Sequence, residues 1–211
     1  MHDLNTWWKG IAGERFWLGT PGLDGNSVVL AAPCGGGRGT ASCANALVTH
    51  VKPGDAVFHF DEAQQAIVAW SIARGSPQKR RLAWSGGARA PGTSSSESRL
   101  LPSWTIGLDN STLLDTTVPV EQLARTQWEL FPALRELEDL VGDPLHYPFA
   151  MGSPAETHLL PGYAFKLPAF VVEQVPPLAR VAGQMWWSDQ TVTSVAQRPM
   201  SRMLEVQLQA R

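Results

Sequence analysis

The sequence predicts an α+β fold, on three observations. Residues 51–77, VKPGDAVFHFDEAQQAIVAWSIARGSP, read as a strand, a polar turn and a second strand. Ala56-Val57-Phe58-His59-Phe60 has apolar and aromatic strand character, and residues 66–73 form the continuous apolar run of a strand buried on both faces. Residues 119–130 and 133–141 carry apolar side chains at helical spacing, with Pro119 in the first turn of one helix and Pro132 opening the other. A proline inside one long helix would cost about 3 kcal/mol, so two helices are expected. In residues 104–108, Trp104, Ile106 and Leu108 alternate onto one face of a further strand.

Composition narrows the class. With 44% hydrophobic residues in a chain of 211, there is material for one large domain, or one domain with extensions. A net charge of −2 provides no global basic field, so a nucleic-acid partner would need a local positive face. Cys34 and Cys43 lack a CxxC neighbour, which argues against structural zinc and for free thiols in a cytosolic protein. The opening MHDLNTWWKG has no signal-peptide core, and no stretch reaches membrane-span length, so a cytoplasmic protein with no membrane partner is expected. Nine tryptophans stand against two tyrosines. Buried indole N–H groups need partners, so some of these rings are expected to line a cavity and the rest to fill the core.

In chain order, residues 1–13 form an N-terminal arm that docks through Trp7 and Trp8. Residues 14–18 form a first strand, with Phe16 and Leu18 on one face and Arg15 and Trp17 on the other. Residues 20–26 are a turn, and 28–32 a short strand. The glycine-rich 34–40 lacks the lysine of a P-loop and reads as a loop, in which Arg38 could meet a phosphate. Residues 41–51 have the spacing of a short helix. Gly75-Ser76-Pro77 is expected to end the second central strand. The basic run Gln78-Lys79-Arg80-Arg81 then reads either as a solvated loop or as a phosphate contact. Residues 86–98 are a small-residue loop, and Asp109-Asn110-Ser111 a turn. A strand over 162–168 is expected to continue into a last strand at 169–175, and a further strand at 203–208 lies in the tail.

No catalytic grouping stands out. The five histidines are scattered singly, and Gly-x-Ser-x-Gly, HExxH and nuclease-like acidic clusters are absent. No cofactor and no metal are expected, and the reading favours binding over catalysis.

The phrases ERFWLGTP (14–21), PGDAVFHF…AIVAWSIARGSP (53–77), SWTIGLDN (103–110), PVEQL (119–123), PLHYPF (144–149) and GYAFKLP (162–168) together resemble, in order, EVE-like domains of the PUA superfamily, relatives of the YTH domain. The resemblance implies a PUA-like curved β-barrel with flanking helices over 14–176, with 177–211 as a C-terminal extension or linker to a further domain. It also implies a reader that flips a modified base, most naturally 5-methylcytosine or 5-hydroxymethylcytosine, into an aromatic cage. Such a reader would be the specificity module of a modification-dependent restriction system, with any nuclease in a fused domain or partner. Under this reading Trp17, Trp70 and Ser71 form the pocket walls, with Phe58, Trp84, Trp104, Phe149 and Tyr163 as further candidates. Asp109 or Asn110 would read the base edge; Arg38, Lys79, Arg80, Arg81 and Lys166 would contact phosphates; and Asp55 would order the Gly-Asp turn. For each aromatic, core packing is the competing role. An RNA-binding PUA/YTH-like domain and an enzyme acting on a small ligand in a Trp-lined pocket are the alternatives.

Overall fold

Alternation along the first strand sets the layering. In the computed structural model, which describes residues 5–34, 46–84, 99–109, 111–142, 145–149, 159–160 and 162–190, strand β1 (Phe16–Gly19) is buried along its whole length. Phe16 and Leu18 point into one apolar cluster and Trp17 into another on the opposite face, as period-two alternation requires. The described residues form a mixed α+β structure around an eight-stranded sheet.

After β1 come β2 (Gly22–Asp24), β3 (Ser27–Pro33) and a 3-10 turn (Leu47–His50). Strands β4 (Ala56–Asp61) and β5 (Ala66–Trp84) make the central hairpin. Its turn is ordered by Asp61, whose carboxylate accepts the Ala63 and Gln64 N–H groups at 2.8 and 2.9 Å. Strands β6 (Arg99–Leu108) and β7 (Thr112–Pro119) follow, then helices α1 (Val120–Glu129) and α2 (Phe131–Val141). Pro132 lies in the first turn of α2, and Gly142 closes that helix at φ 70°, a left-handed C-cap suited to glycine. Strand β8 (Ala164–Leu167) and helices α3 (Ala169–Gln174) and α4 (Pro176–Gln190) complete the described chain.

The strand order is β2-β3-β6-β5-β4-β1-β8, with β1 parallel to β4 and β7 paired to β5. Strands β6 and β7 run end to end along one edge of β5, with Leu108 opposite Ala73 and Thr112 opposite Trp70. Together they make one long ribbon. The largest apolar cluster lies between β1, β4, β5 and β8 and the helices, joining Phe16, Phe58, Ile67 and Leu167 to Leu123, Leu134, Val172 and Val181. A second cluster, on the other face, joins Trp8, Trp17, Val57 and Ala73 to Leu30, Ile106 and the Leu47 and Val48 side chains of the 3-10 turn. A third, small one holds Val29, Ala31, Leu82 and Trp84.

Several expectations change. Gly75-Ser76-Pro77 does not end β5; it makes a bulge, seen as a register shift between Arg74 and Gln78 with Gly75 at φ 65°. Turns and bulges use the same residues, so the composition could not separate them. The run 78–81 is therefore strand, not loop. Residues 169–175 are helix α3 with its following residue, not a last strand. Val171, Val175, Leu178, Ala182 and Met185 recur at helical spacing through α3 and α4 into the main core, so the packing of the main core includes residues past 176. Strand β2, inside the turn expected at 20–26, and strand β7 are additions to the expected elements. Of the helix expected at 41–51, residue 46 is helical, residues 47–50 are a 3-10 turn and Val51 is extended; 41–45 lie outside the described residues, as does the strand expected at 203–208. No described helix is long and apolar enough to cross a membrane.

Candidate nucleic-acid interface

The bulge at Gly75 carries the chain into a basic strand. Beyond it, β5 pairs with β6 on one side, while β4 reaches only to Ile72 on the other. Residues 75–84 are thus an open sheet edge among the described residues. Alternation places Lys79 and Arg81 on one face beside Trp104 and Pro102, their cross-strand neighbours. The Lys79 ammonium sits 4.8 Å from the centre of the half-buried Trp104 ring, a cation–π contact. Arg80 points to the other face and bonds Asp24 at 2.8 Å. Arg74 is ion-paired with Asp109. Lys79 and Arg81 have no acidic partner among the described residues, and both are exposed. Charges on an open edge also prevent edge-to-edge association, and that role requires nothing further of them.

The other candidates are distributed over both faces of the sheet. Trp17 is 0% exposed, and its indole N–H donates to Asp55 Oδ2 at 2.8 Å. The same carboxylate oxygen accepts the Lys52 N–H at 3.0 Å, which closes the turn at Gly54, φ 88°. Burial pushes the Asp55 carboxyl above the ordinary carboxylate range, opposed by these donors, Lys166 and Arg15. Phe58 stacks on Phe16, and Phe149 packs beside Tyr147, both in the main core. Trp70 lies between Phe58 of β4 and Thr112 of β7 and packs on that same cluster. Trp84 donates to Ser103 Oγ at 2.9 Å and meets Tyr163 edge to face. The described members of the expected pocket therefore do not line one cavity. Asn110 and Arg38 lie outside the described residues.

Lys166 is the clearest departure from expectation. It is wholly buried, and its three N–H donors go to Glu14 Oε2 (2.9 Å), Phe16 O (3.2 Å) and Leu167 O (2.9 Å). Burial pulls its ammonium below the ordinary lysine range, and Glu14 opposes that. Glu14 Oε1 also accepts the N–H of Ala169, the first residue of α3, in place of a local side-chain cap. So placed, Lys166 joins β1, β8 and α3 and has no reach to a solvent phosphate.

Two groupings were not legible beforehand. His59 is buried on β4 with Nδ1 3.4 Å from Ser111 Oγ. Ser71 is its diagonal neighbour on β5, and its Oγ and the His59 Nε2 lack partners among the described residues. Burial pulls the His59 pKa down to about 4. A folded-state pKa below the unfolded value near 6.5 contributes stability above pH 6.5 that is lost as the pH falls through 4. That loss is expected to be about 3 kcal/mol. Replacing His59 with Gln should flatten the difference in urea midpoint between pH 7 and pH 4; an unchanged slope would show that other groups carry it.

The second grouping is an aromatic cage. The Trp8 ring meets Trp7, Trp17, His50 and His146 edge to face, at centroid distances of 5.7, 5.4, 6.1 and 6.2 Å. Sequence position gives no hint that His50 and His146 converge. No group of three or more His, Cys, Asp or Glu side chains suited to a metal occurs among the described residues. Comparison with known proteins assigns no family: no family model matches the chain, and no curated protein matches it.

Proposed function

We propose that this chain is a nucleic-acid reader of the PUA-like, EVE type, which recognises a modified base in double-stranded DNA. It would serve as the specificity module of a modification-dependent restriction system, with cleavage supplied by a fused or partner nuclease. The observation that carries this reading is the strip Lys79–Trp104–Arg81, two cations without acidic partners among the described residues flanking a half-buried indole on an open sheet edge. Cations supply the phosphate attraction and an aromatic supplies a stacking surface, the two elements that hold a strand with an unstacked base. The order of the family-like phrases along β1, the β4–β5 hairpin, β6, α1 and β8 supports the same reading. Extruding a base costs a few kcal/mol, and stacking on one aromatic returns about 1–3 kcal/mol. Edge contacts must supply the remainder together with the discrimination.

The test is a binding titration at two salt concentrations. Matched duplexes carry cytosine, 5-methylcytosine, 5-hydroxymethylcytosine or N6-methyladenine, with a single-stranded RNA as comparison. Selective binding to one modified duplex is expected; preference for the RNA, or equal weak binding to all, would overturn the DNA reader. The Lys79→Glu, Arg81→Glu double variant should bind more weakly and reduce the slope of log K against log salt by about one for each phosphate no longer neutralised. Arg80→Glu, whose native partner is Asp24, should have the smaller effect.

A further inference from the structure

Trp8 is held unlike the other described tryptophans whose indole nitrogens are buried. The Trp7, Trp17 and Trp84 N–H groups each have an acceptor, respectively Leu145 O, Asp55 and Ser103. Trp8 is 4% exposed, yet its indole N–H finds no acceptor among the described residues. Interiors seldom leave such a donor unpaired, so the exception requires an explanation. The surrounding rings supply shape and edge contacts but no complement to that N–H.

The segment that carries Trp8 differs from the walls around it. Residues 5–13 contain no regular element; their backbone bonds are local turns, Lys9 N to Thr6 O, Ile11 N to Trp8 O and Glu14 N to Ile11 O. Gly10 and Gly13 lie at φ 81° and 91°, a region glycine enters without strain, and a Cβ at Gly10 would meet nothing within 4 Å. The walls are fixed. Trp17 lies on β1, hydrogen-bonded between β4 and β8. His50 ends the 3-10 turn packed on β3, β5, β6 and β8. His146 is held at φ 55° with its carbonyl accepting the Lys166 N–H at 3.1 Å. A non-glycine residue in that region is strained, and such residues cluster at ligand sites.

We propose that Trp17, His50 and His146 form a binding site for a planar nitrogen heterocycle, a nucleobase, and that Trp8 is its built-in plug, displaced with the arm when the base enters. The proposal rests on the nucleic-acid reading above and adds an autoinhibitory contact to it. An indole is larger than a pyrimidine, so the space Trp8 fills accommodates a flipped cytosine-type base. An apolar cavity opened by removing a core side chain accepts a flat ring of matching size. The plug lowers apparent affinity by the fraction of molecules in which the site is open, so removing it raises affinity without adding a contact.

The test uses the full chain, as wild type and Trp8→Ala. Two probes are titrated calorimetrically: free 5-methyl-2′-deoxycytidine, and a duplex carrying 5-methylcytosine. In parallel, hydrogen exchange over residues 5–13 of the wild type is followed with and without saturating duplex. Trp8→Ala is expected to bind both probes about tenfold more tightly or better, and the arm of the wild type to lose protection when duplex binds. Duplex binding equally to both proteins, with protection of 5–13 unchanged, would overturn the plug and leave the reader standing. Nucleoside binding to Trp8→Ala alone, with duplex bound by neither protein, would keep the plugged site and remove the DNA reader. Binding of neither probe to a cooperatively folding Trp8→Ala would overturn both. If Trp8→Ala does not fold, hydrogen exchange on the wild type decides: a protected arm at saturation overturns the plug.

Discussion

Replacing Lys166 with methionine is expected to lower the unfolding free energy by about 3–5 kcal/mol, the usual cost of removing one partner from a buried ion pair. Methionine keeps most of the volume, so the loss reports the charge rather than a cavity. It leaves the Glu14 carboxylate buried with only the Ala169 N–H of its two described contacts. It also leaves the Phe16 and Leu167 carbonyls without the donor that now serves them. The double variant Glu14→Gln, Lys166→Met should recover much of the loss, because no charge is then buried and the amide oxygen can still accept from Ala169. Urea unfolding of the wild type, both single variants and the double variant closes the cycle. A loss below about 1 kcal/mol for Lys166→Met, the range of an exposed pair, would refute the buried placement.

Trp17→Ala is expected to cost a further class of energy, about 3–5 kcal/mol from the cavity left by a fully buried indole. It also removes the donor that satisfies Asp55. Trp17→Phe separates the two effects: it keeps most of the packing and loses the N–H, so a cost of about 1–3 kcal/mol is expected. Thermal or urea unfolding measures both. Equal losses in the two variants would mean that the hydrogen bond, not the packing, dominates. A lost ligand signal in Trp17→Ala alone would combine a missing pocket wall with a loosened fold, whereas Trp17→Phe keeps the question on the ligand.

Much of the fold was legible because it is local. The hairpin turn at Asp61, the helix break at Pro132 and the two-sided alternation of Phe16, Trp17 and Leu18 each depend on residues a few positions apart. Asp55 was expected to order the Gly-Asp turn, and its bond to the Lys52 N–H does so. The misreadings had equally specific causes. Gly75-Ser76-Pro77 has the composition of a terminator and the geometry of a bulge, because both need the same backbone freedom. The valines of α3 suggested a strand, but their spacing continues through Val175, Leu178 and Ala182, and burial against the core outweighs their propensity.

The candidate site was less legible. The basic run 78–81 was visible as charge, but only the pairing of β5 with β6 places Lys79 and Arg81 on one side of Trp104 and sends Arg80 to Asp24. The sequence by itself determined the types of most elements, much of their order and the turn at Asp55, since these follow from spacing and from backbone preferences within a few residues. The tertiary structure alone decided that Lys166 lies inside against Glu14, and that Trp8 is ringed by Trp17, His50 and His146. A charge survives burial only where a distant partner meets it, and a ring becomes a cage only where separate segments converge. Both conditions depend on contacts between residues far apart in the chain, and no local pattern encodes them.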